Sequence, residues 1–437
     1  MSETKFRVAI SGGGIGGLAL AAFICHHSKD IAVDVYETKN EISIIGAGIA
    51  IWKRTWQTLQ DIGLEEEVRK RNLPLPKDGE IRGPIFRKAD QPTDGFDFHN
   101  HMMPYGPLTL PRPTLLDLLQ TRLTDRCTIH TSKHVQSYEQ DSAGTVTVKF
   151  KDGSSATADI LVGCDGVHSD TRATMYQNFA KVDPTKRYEE FCEPKWSGTL
   201  AYRGLVAKAE LSKAYPDHQA LSNAKIWCGK SKHVVSHPFG DIVNLVCFYT
   251  EQEGYGKRFE GPWVADVPVE EVVQRYKGWE PDLVHLVEVK VLINKPSRWA
   301  IHVVDNAPHS VSGKVALVGD AAHAMTPHQG IGGGQAIEDA HILGRLLANE
   351  KTTLGNIEQV LSIYEKVRLP LAHKASERSW NNGLLYDFIH PDYPLEPTAR
   401  AVELKPVGQA VGDAFAWLGQ GGCDDDWERA RELLNQL

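Results

Sequence analysis

The sequence has few cysteines, no long apolar run and no excess of basic residues. Its seven cysteines are scattered without a C-x-x-C pair, which favours free thiols in a reducing compartment over a disulfide or a zinc site. No run approaches the roughly 18 apolar residues of a membrane-spanning helix, and the residues after Met1 lead straight into a predicted strand rather than a signal peptide. The net charge of −8 argues against a nucleic-acid surface. We therefore expect a cytoplasmic protein that binds neither nucleic acid nor membrane and holds no structural metal.

The length of 437 residues suits two or three domains, or one large core with an inserted subdomain. Residues from about 190 to 300 alternate β-rich runs, such as 242–249, with Trp, Pro and Tyr, and they lack the glycine-rich turns of the flanking segments. This pattern predicts an inserted antiparallel sheet. Residues 75–110 mix Pro, Gly, His and acidic residues, and we interpret them as a loop excursion that joins the same unit.

The chain begins with a β-α-β pattern, which predicts a parallel sheet with a right-handed crossover. Its elements are a strand at 6–11, a helix at 18–27 and a second strand at 31–37. The later predicted elements are a helix at 114–123, strands at 145–150 and 156–162 joined by a turn at 151–153, and helices at 340–349 and 354–368, the last ended by Pro370.

The first turn carries a nucleotide-binding pattern. Gly12, Gly14 and Gly17 satisfy G-x-G-x-x-G between a strand and a helix, where glycines permit a tight turn and a close approach of the backbone to a pyrophosphate. Glu37 ends the second strand, where its carboxylate can accept hydrogen bonds from a ribose. The acid favours an unphosphorylated ribose, as in NAD or FAD, and the motif alone does not choose between them.

Two further junctions place polar residues after buried strands. Residues 165–172 read D-G-V-H-S-D-T-R and follow the strand predicted at 156–162. Residues 319–334 begin with Gly and Asp, pass through a Pro-His-Gln-Gly turn and continue into a helix. This order presents an acid, glycine amides and a helix N-terminus to a ligand, which suits a phosphate, a ribityl hydroxyl or an electron-rich ring edge.

The three motifs, in this order, resemble the signatures of the single-component FAD-dependent aromatic hydroxylases, the para-hydroxybenzoate hydroxylase-like family. Residues 197–204, 323–330, 379–380 and 383–386 are most similar to its salicylate hydroxylase branch. The resemblance implies an α/β fold: a Rossmann-like FAD-binding domain of the glutathione reductase type, an inserted antiparallel β-sheet substrate domain and a C-terminal helical region. It divides the chain into a discontinuous FAD-binding domain at 1–75, 108–190 and 300–350, a substrate-binding domain at 76–107 and 191–299, and a helical region at 351–437.

In this family the first motif binds the ADP part of FAD, the second supports FAD and the passing nicotinamide cofactor, and the third holds the ribityl chain and pyrophosphate. The resemblance thus assigns FAD contacts to Gly12, Gly14, Ile15, Gly17, Glu37, Arg112, Asp165, Arg172, Gly319, Asp320, Gly332 and Gly333. One segment departs from the family. After residues 46–49 relatives continue with a Pro-Asn pair, whereas this chain has Trp-Lys-Arg-Thr at 52–55, so we carry over no flavin contact there.

The resemblance also implies the reaction. The enzyme would bind a phenolic aromatic acid, take hydride from NADH or NADPH, and react tightly bound, reduced FAD with O2 to give a C4a-hydroperoxide. With salicylate, hydroxylation at the carboxyl-bearing carbon expels CO2 and leaves catechol. Two alternatives stay open: a hydroxylase of another phenol, such as a hydroxybenzoate or a fungal polyketide phenol, and a flavoprotein without hydroxylase activity. The chain is expected to be a monomer or a homodimer.

A phenolate reacts faster than a phenol, so a base or a cation near the substrate hydroxyl would help, and histidine titrates near neutral pH. His328, after Pro327 in the turn that faces the flavin, is the first candidate. His237, at the end of a predicted strand, is the second; either histidine could instead be structural. Arg203 could hold a substrate carboxylate bidentately, with a salt bridge as the alternative, and Arg87 is a weaker carboxylate partner.

Other polar groups are interpreted without a ligand. His323 is expected to be structural. His99 and His101 invite a metal site, but no third ligand is spaced to join them, which favours a solvated loop. The acidic run at 424–426 is typical of the N-terminal cap of a helix.

Overall fold

The computed structural model describes residues 4–42, 48–141, 144–288, 295–396 and 398–437. Within these ranges the strands are β1 (Phe6–Ser11), β2 (Ile31–Tyr36), β3 (Gly48–Ile51), β4 (Ile81–Lys88), β5 (Phe96–Met103), β6 (Leu108–Pro111), β7 (Cys127–His130), β8 (Val135–Gln140), β9 (Val146–Phe150), β10 (Ser155–Ala158), β11 (Ile160–Gly163), β12 (Lys195–Ala207), β13 (Lys225–Gly229), β14 (Lys232–Phe239), β15 (Ile242–Thr250), β16 (Val264–Asp266), β17 (Ser297–Val303), β18 (Val311–Ser312) and β19 (Val315–Leu317).

The helices are α1 (Ile15–His27), α2 (Lys53–Asp61), α3 (Leu64–Lys70), α4 (Arg112–Gln120), α5 (Asp170–Val182), α6 (Lys208–Ala214), α7 (Val269–Arg275), α8 (Pro281–Val287), α9 (Asp320–His323), α10 (Gly332–Ala348), α11 (Ile357–Tyr386), α12 (Lys405–Phe415) and α13 (Asp424–Leu434). The helix predicted from the acidic run at 424–426 is confirmed. Among the described residues, no helix combines the length and the apolar character that crossing a membrane requires.

A six-stranded sheet carries the glycine motif. Its order is β18-β19-β11-β1-β2-β7, with parallel pairing throughout except between β18 and β19. Val8 and Ile10 of the central strand are completely buried, as expected for a parallel strand with both faces covered. Helices α1 and α10 share their apolar core with this sheet. The predicted β-α-β unit and parallel sheet are confirmed.

An eight-stranded sheet forms the second layer, with the order β16-β17-β12-β15-β14-β13-β4-β5. It is antiparallel except for the β13–β4 pair. Because side chains alternate along a strand, Tyr202 and Cys247 face a core shared with α7 and α8, while Arg203 and Val246 face the opposite way. We call the second side the inner face. The interpretation of residues 75–110 as a loop was wrong, since β4 and β5 are full strands of this sheet.

The inner face packs against the C-terminal helices and the turn after β19. Ile226 and Val235 lie in one apolar cluster with Ile331, Tyr386 and Phe415. The inner face therefore meets both the glycine-rich turn at 319–334 and the helices α11 and α12. The division of the chain into domains at the boundaries given above stays a prediction.

The strand predicted at 156–162 is two strands in two sheets. β10 pairs with β9 in a hairpin, whereas β11 enters the parallel sheet beside β1. Asp159 lies between them: its amide donates to the Arg7 carbonyl (3.0 Å) and its carboxylate accepts from the Arg7 amide (2.8 Å). These bonds fix the switch between the sheets, which an apolar run cannot reveal.

Pro370 does not end the last predicted helix. α11 continues through it to Tyr386. Pro370 and Lys366 are both exposed, so the Lys366 carbonyl that loses its helical donor faces water. A proline on the solvent side of a long helix is thus tolerated.

Candidate active site

Close packing explains two glycines of the first motif and leaves space at the third. A Cβ on Gly17 would lie 2.0 Å from the Gly12 carbonyl oxygen, and Gly12 itself has φ +102 with the Cys164 carbonyl 2.5 Å from a Cβ position. Only glycine fits at either position. At Gly14 the nearest atom to an added Cβ is the Arg112 guanidinium at 3.6 Å. In this turn the uncrowded side of Gly14 therefore lies next to the Arg112 cation.

Glu37 and Arg112 flank this turn. Glu37 at the end of β2 accepts hydrogen bonds from the amides of Gly13 (2.8 Å) and Lys39 (2.9 Å), which hold its carboxylate beside the turn. Arg112 is the first residue of α4, and its buried Nε has no hydrogen-bond partner among the described residues. A buried guanidinium nitrogen without an acceptor, beside free glycine backbone, fits the phosphate oxygens of a dinucleotide such as FAD.

The second motif braces the turns. Asp165 accepts hydrogen bonds from Ser169 Oγ (2.5 Å) and from the amide (3.0 Å) and hydroxyl (2.7 Å) of Thr171 at the start of α5. Arg172 is only 1% exposed and donates to backbone carbonyls, among them that of Ala321 (3.2 Å). Its other donors go to the carbonyls of Val167, Phe191 and Cys192, so the guanidinium ties the second motif to the third, and its direct FAD contact stays a prediction.

In the third motif, Gly319 begins a turn that a buried carboxylate holds. Gly319 has φ +64, and a Cβ there would lie 2.7 Å from the Ala336 methyl group. Asp339 in α10 accepts from the Gly319 amide (3.0 Å) and pairs with His323 Nε2 (2.6 Å), which fits the structural role expected for His323. Burial alone would raise the pKa of Asp339, but its cationic partners hold that pKa well below the ordinary value. Asp320 keeps exposed surface, but the surrounding protein desolvates its carboxylate and so raises its pKa.

Helix α10 begins against the first motif. A Cβ on Gly333 would lie 2.5 Å from the side chain of Ile49 and 3.6 Å from that of Ile15. A Cβ on Gly332 would lie 3.9 Å from the Asp320 carboxylate. The N-termini of α1 and α10 therefore meet at one place, with an acid beside them, and their unpaired amides suit anionic and hydroxyl groups of FAD.

Arg203 lies on the inner face of the eight-stranded sheet. Its Cα pairs with Val246 on one side and Ser297 on the other, and its guanidinium lies 5.7 Å from the centre of the Trp299 ring. The side chain is half-buried, and burial lowers its pKa. Within the described part of the chain it has no carboxylate partner, so its charge is available to a ligand.

His328 packs between the inner face and α11. Its ring centre lies 5.2 Å from that of Phe248 and 5.2 Å from that of His233, and a Cβ on Gly383 would fall 2.5 Å from its Cδ2. Burial and the nearby His233 lower the pKa of His328 well below its ordinary value, so the ring is neutral. Pro327 before it is exposed.

Two other predicted substrate residues are placed differently. His237 is exposed at the end of β14, four residues beyond His233 and thus about 13 Å from it along the strand, so it is not brought next to His328. Arg87 is paired with Glu280 (2.8 Å) and Asp97 (3.1 Å). The prediction that Arg87 binds a substrate carboxylate was wrong, because buried Glu280 and exposed Asp97 of this chain already occupy its guanidinium.

The histidines at 99 and 101 are not in a solvated loop. They lie on β5, and His101 is 2% exposed beside Phe86 and Phe415. Burial lowers the pKa of His101 to about 4. Apolar neighbours, contributed by distant segments, explain an outcome that the polar composition of residues 75–110 obscured.

Sequence reasoning missed a pair of residues beside His328. His233 Nδ1 lies 2.6 Å from the carboxylate of Asp387, and both side chains are buried. His233 is on β14 and Asp387 follows α11, so no spacing links them. The only signal was the His-Val-Val-Ser-His alternation, which places His233 and His237 on the same face of a strand.

The residues at 52–55, where the sequence departs from its relatives, form the start of α2, while Gly46 and Ala47 lie outside the described residues. Arg54 pairs with Asp426 of α13 (2.6 Å) and with Glu338 of α10 (3.5 Å). The segment that departs from the family thus links α13 to α10, the helix that begins at the third motif.

Comparison with known proteins decides the family. Residues 5–191 and 260–379 match the FAD binding domain family. The chain belongs to this family. Salicylate hydroxylase of Pseudomonas putida is 30% identical over 445 residues, which cover 99% of this chain and 96% of that protein. The 6-methylsalicylate 1-monooxygenase of Aspergillus terreus is 32% identical over 408 residues, which cover 88% of this chain and 84% of that protein.

A solved structure described as a salicylate hydroxylase substrate complex superposes with a TM-score of 0.80 at 28% identity, covering 98% of each chain. This member of the FAD binding domain family is therefore an FAD-dependent aromatic monooxygenase of the salicylate hydroxylase type. The open alternative of a flavoprotein without hydroxylase activity is not supported.

Proposed function

We propose that this enzyme hydroxylates a phenolic aromatic acid, using O2 and NADH or NADPH, and that salicylate is its substrate, converted to catechol with loss of CO2. The observation that carries the proposal is Arg203, a half-buried cation without an acidic partner in the described chain, beside the Trp299 ring on the inner face. A guanidinium next to an aromatic face suits a planar ring that bears a carboxylate. The likeness to two salicylate-type monooxygenases supports this choice.

Bound FAD, reduced by the nicotinamide, supplies the oxygen-activating chemistry. The chain would hold FAD through the first turn, Glu37 and Arg112, and through the turn that begins at Gly319 and Asp320. Arg203 would orient the substrate by its carboxylate. His328 would accept the hydrogen bond of the substrate hydroxyl and then its proton, and the charge of the phenolate that forms would offset the burial that lowers the pKa of His328. The apolar side chains around His328 would exclude water from this proton transfer.

The function is tested with the purified holoenzyme. Salicylate should accelerate NADH or NADPH consumption and yield catechol and CO2 in equal amounts. Consumption that yields hydrogen peroxide alone would overturn the substrate assignment. An assay with each nicotinamide separately assigns the reductant, and a hydroxylated acid that retains its carboxyl group would contradict decarboxylation.

Arg203→Met tests the carboxylate partner. Loss of a charge-assisted, bidentate contact worth about 1.5–3 kcal/mol should raise the salicylate Kd roughly 10- to 150-fold. Binding of unsubstituted phenol, which has no carboxylate, should change little. Arg203→Lys should recover part of the affinity, because it restores the charge without the planar fork. An unchanged salicylate Kd in Arg203→Met would remove Arg203 from the site.

The second candidate substrate is a methyl-substituted salicylate. Its support is the similarity to the Aspergillus terreus protein named for 6-methylsalicylate, at 32% identity. Parallel assays with salicylate and 6-methylsalicylate decide between them by kcat/KM. Hydroxybenzoates and larger fungal polyketide phenols belong in the same panel, since the inner face does not distinguish them by charge.

A further inference from the structure

A buried carboxylate–imidazole pair lies directly beside His328. Asp387 Oδ1 and His233 Nδ1 are 2.6 Å apart, and their side chains are 2% and 0% exposed. The Asp387 carbonyl also accepts a hydrogen bond from the Ser231 amide (2.8 Å), just before β14. Both the side chain and the backbone of Asp387 therefore join the end of α11 to this strand. An ionised carboxylate can only accept, which fixes the imidazole proton on Nδ1 and leaves a lone pair on Nε2.

The free side of His233 faces an enclosed group of rings. Phe248 stacks on His233 at 4.5 Å, and His328 meets it edge-on at 5.2 Å. Nε2 of His233 and Nδ1 of His328 are both buried, and neither has a hydrogen-bond partner among the described residues. Native cores seldom leave such atoms unpaired without a functional reason.

The position of Asp387 is locally unfavourable. It caps the C-terminal end of α11, where the helix dipole disfavours an anion. The Asp387 side chain is also buried, which disfavours the charge further. A purely structural bond to His233 could be made by a neutral amide at lower cost. The ionised form is useful when the imidazole must carry a positive charge, as in a carboxylate–histidine pair of a hydrolase.

We propose that Asp387 is a positioning residue for hydroxylation: it holds His233 edge-on against His328, where the pair stabilises the proton that His328 takes from the substrate hydroxyl. This inference rests on the proposed phenol hydroxylation. The O–H bond of the phenol breaks and its electron pair stays on the phenolate oxygen. His328 gains this proton and becomes an imidazolium. The lone pair on His233 Nε2 and the Asp387 carboxylate behind it stabilise that positive charge, and His328 returns the proton to the product oxygen when product leaves.

The other titratable side chains packed around His233 do not compete for this proton. They are Cys228 on the neighbouring strand, Tyr276, which donates to the His233 and Phe248 carbonyls, and Tyr386 on α11. Burial raises the pKa of each of the three above its ordinary value. They stay neutral near pH 7, so none of the three takes up this proton.

The test compares wild-type holoenzyme with Asp387→Asn and with a matched control, Asp90→Asn. Asp90 is also a shielded acid in a charged pair, with Lys88, and it accepts the amide of Lys230 near the same strand, but it does not touch His233. The first readout is the ionisation of bound salicylate, or of 6-methylsalicylate, followed by its absorbance as a function of pH without nicotinamide. The second is the hydroxylation rate with the same phenol.

In Asp387→Asn we expect FAD to remain bound, the substrate Kd to change by less than about threefold, and hydroxylation to slow by about 10- to 100-fold. Ionisation of the bound phenol should move to higher pH by about one unit. Asp90→Asn should leave both readouts at wild-type values. His233→Asn should reproduce the Asp387→Asn result and serves in its place if Asp387→Asn fails to fold.

The proposal is overturned if Asp387→Asn ionises bound phenol and hydroxylates like the wild type, or if Asp90→Asn shifts both readouts equally. The ionisation measurement needs no turnover. A wild-type enzyme that binds the phenol but makes no hydroxylated product therefore contradicts the proposed function, while the titration still decides the role of Asp387.

Discussion

Gly383→Ala should displace His328 while leaving the FAD site intact. A Cβ at this position would lie 2.5 Å from Cδ2 and 2.6 Å from Nε2 of His328. Ordinary contacts between such atoms lie at about 3.5 Å or more, so the ring has to move by about 1 Å. The methyl group enters the space between α11 and the inner face, where neighbouring side chains are packed.

Two energies of opposite sign compete in this variant. Alanine in a helix interior is favoured over glycine by about 0.5–1 kcal/mol, whereas overpacking a core costs roughly 1–3 kcal/mol. We expect a net loss of about 1 kcal/mol of unfolding free energy. A misplacement of about 1 Å in a catalytic group can cost on the order of 100-fold, so kcat should fall about 10- to 100-fold while the FAD Kd stays unchanged.

The matched control is Gly412→Ala in α12, where nothing lies within 4 Å of an added Cβ. This substitution should raise the thermal midpoint slightly and leave kcat as in the wild type. Thermal unfolding, FAD titration and steady-state hydroxylation are measured on both variants. If Gly383→Ala is stabilised like Gly412→Ala and keeps full kcat, His328 either moves freely or has no part in the reaction, and the reasoning fails.

Two further predictions concern the cofactor turn and a buried histidine. Gly17→Ala would place a Cβ 2.0 Å from the Gly12 carbonyl, so the purified variant should lack the flavin absorbance near about 450 nm; a yellow, FAD-saturated variant would contradict the packing argument. His101 has a folded pKa of about 4 against an ordinary value of 6.5, so the unfolded chain binds more protons between these values. The unfolding free energy should reach its full value above pH 6.5 and decrease as the pH falls toward 4. His101→Leu should therefore make the unfolding free energy depend less on pH in this range. An equally steep dependence in the variant would refute the assignment to His101.

The cofactor site could be predicted from sequence because each of its parts is local. A strand, a glycine turn and a helix follow one another within residues 6–27, and the third motif repeats that order within 315–348. Glycines at 12 and 17 are demanded by contacts that any such turn makes. The position of Glu37 after β2 follows from the length of the crossover that joins β1 to β2. The family resemblance added Arg112, whose position relative to Gly14 no spacing rule gives.

The substrate side could not be predicted in the same way, because its partners are far apart in the chain. Arg87 was offered as a carboxylate partner, but Glu280, 193 positions away, neutralises it. His233 and Asp387 are separated by 154 positions. Isolated charged residues and histidines look alike in a sequence, and only the tertiary contacts show which of them already have a partner.

One helix supports both halves of the site. Near the middle of α11, Arg368 donates to the carboxylate of Asp339 (2.8 Å), which in turn holds the Gly319 amide of the cofactor turn. Three turns later, the Ser379 hydroxyl donates to the Thr326 carbonyl, just before the Pro-His-Gln turn. The cofactor turn and the turn that carries His328 are consecutive segments of the chain, and α11 holds both of them in place.

The spacing along α11 shows why a long, unbroken helix is needed there. Arg368, Ser379, Gly383 and Asp387 lie 11, 4 and 4 residues apart, so they share one face, which would be lost if the helix ended at Pro370. At about 1.5 Å per residue, this face spans roughly 28 Å from the cofactor turn to the His233 pair. A break at Pro370 would leave the angle between these groups undefined. Because Pro370 lies on the exposed side, the helix continues through it without a change of register. The geometry of the proton acceptor relative to the cofactor is therefore set by one rigid helix rather than by two loops.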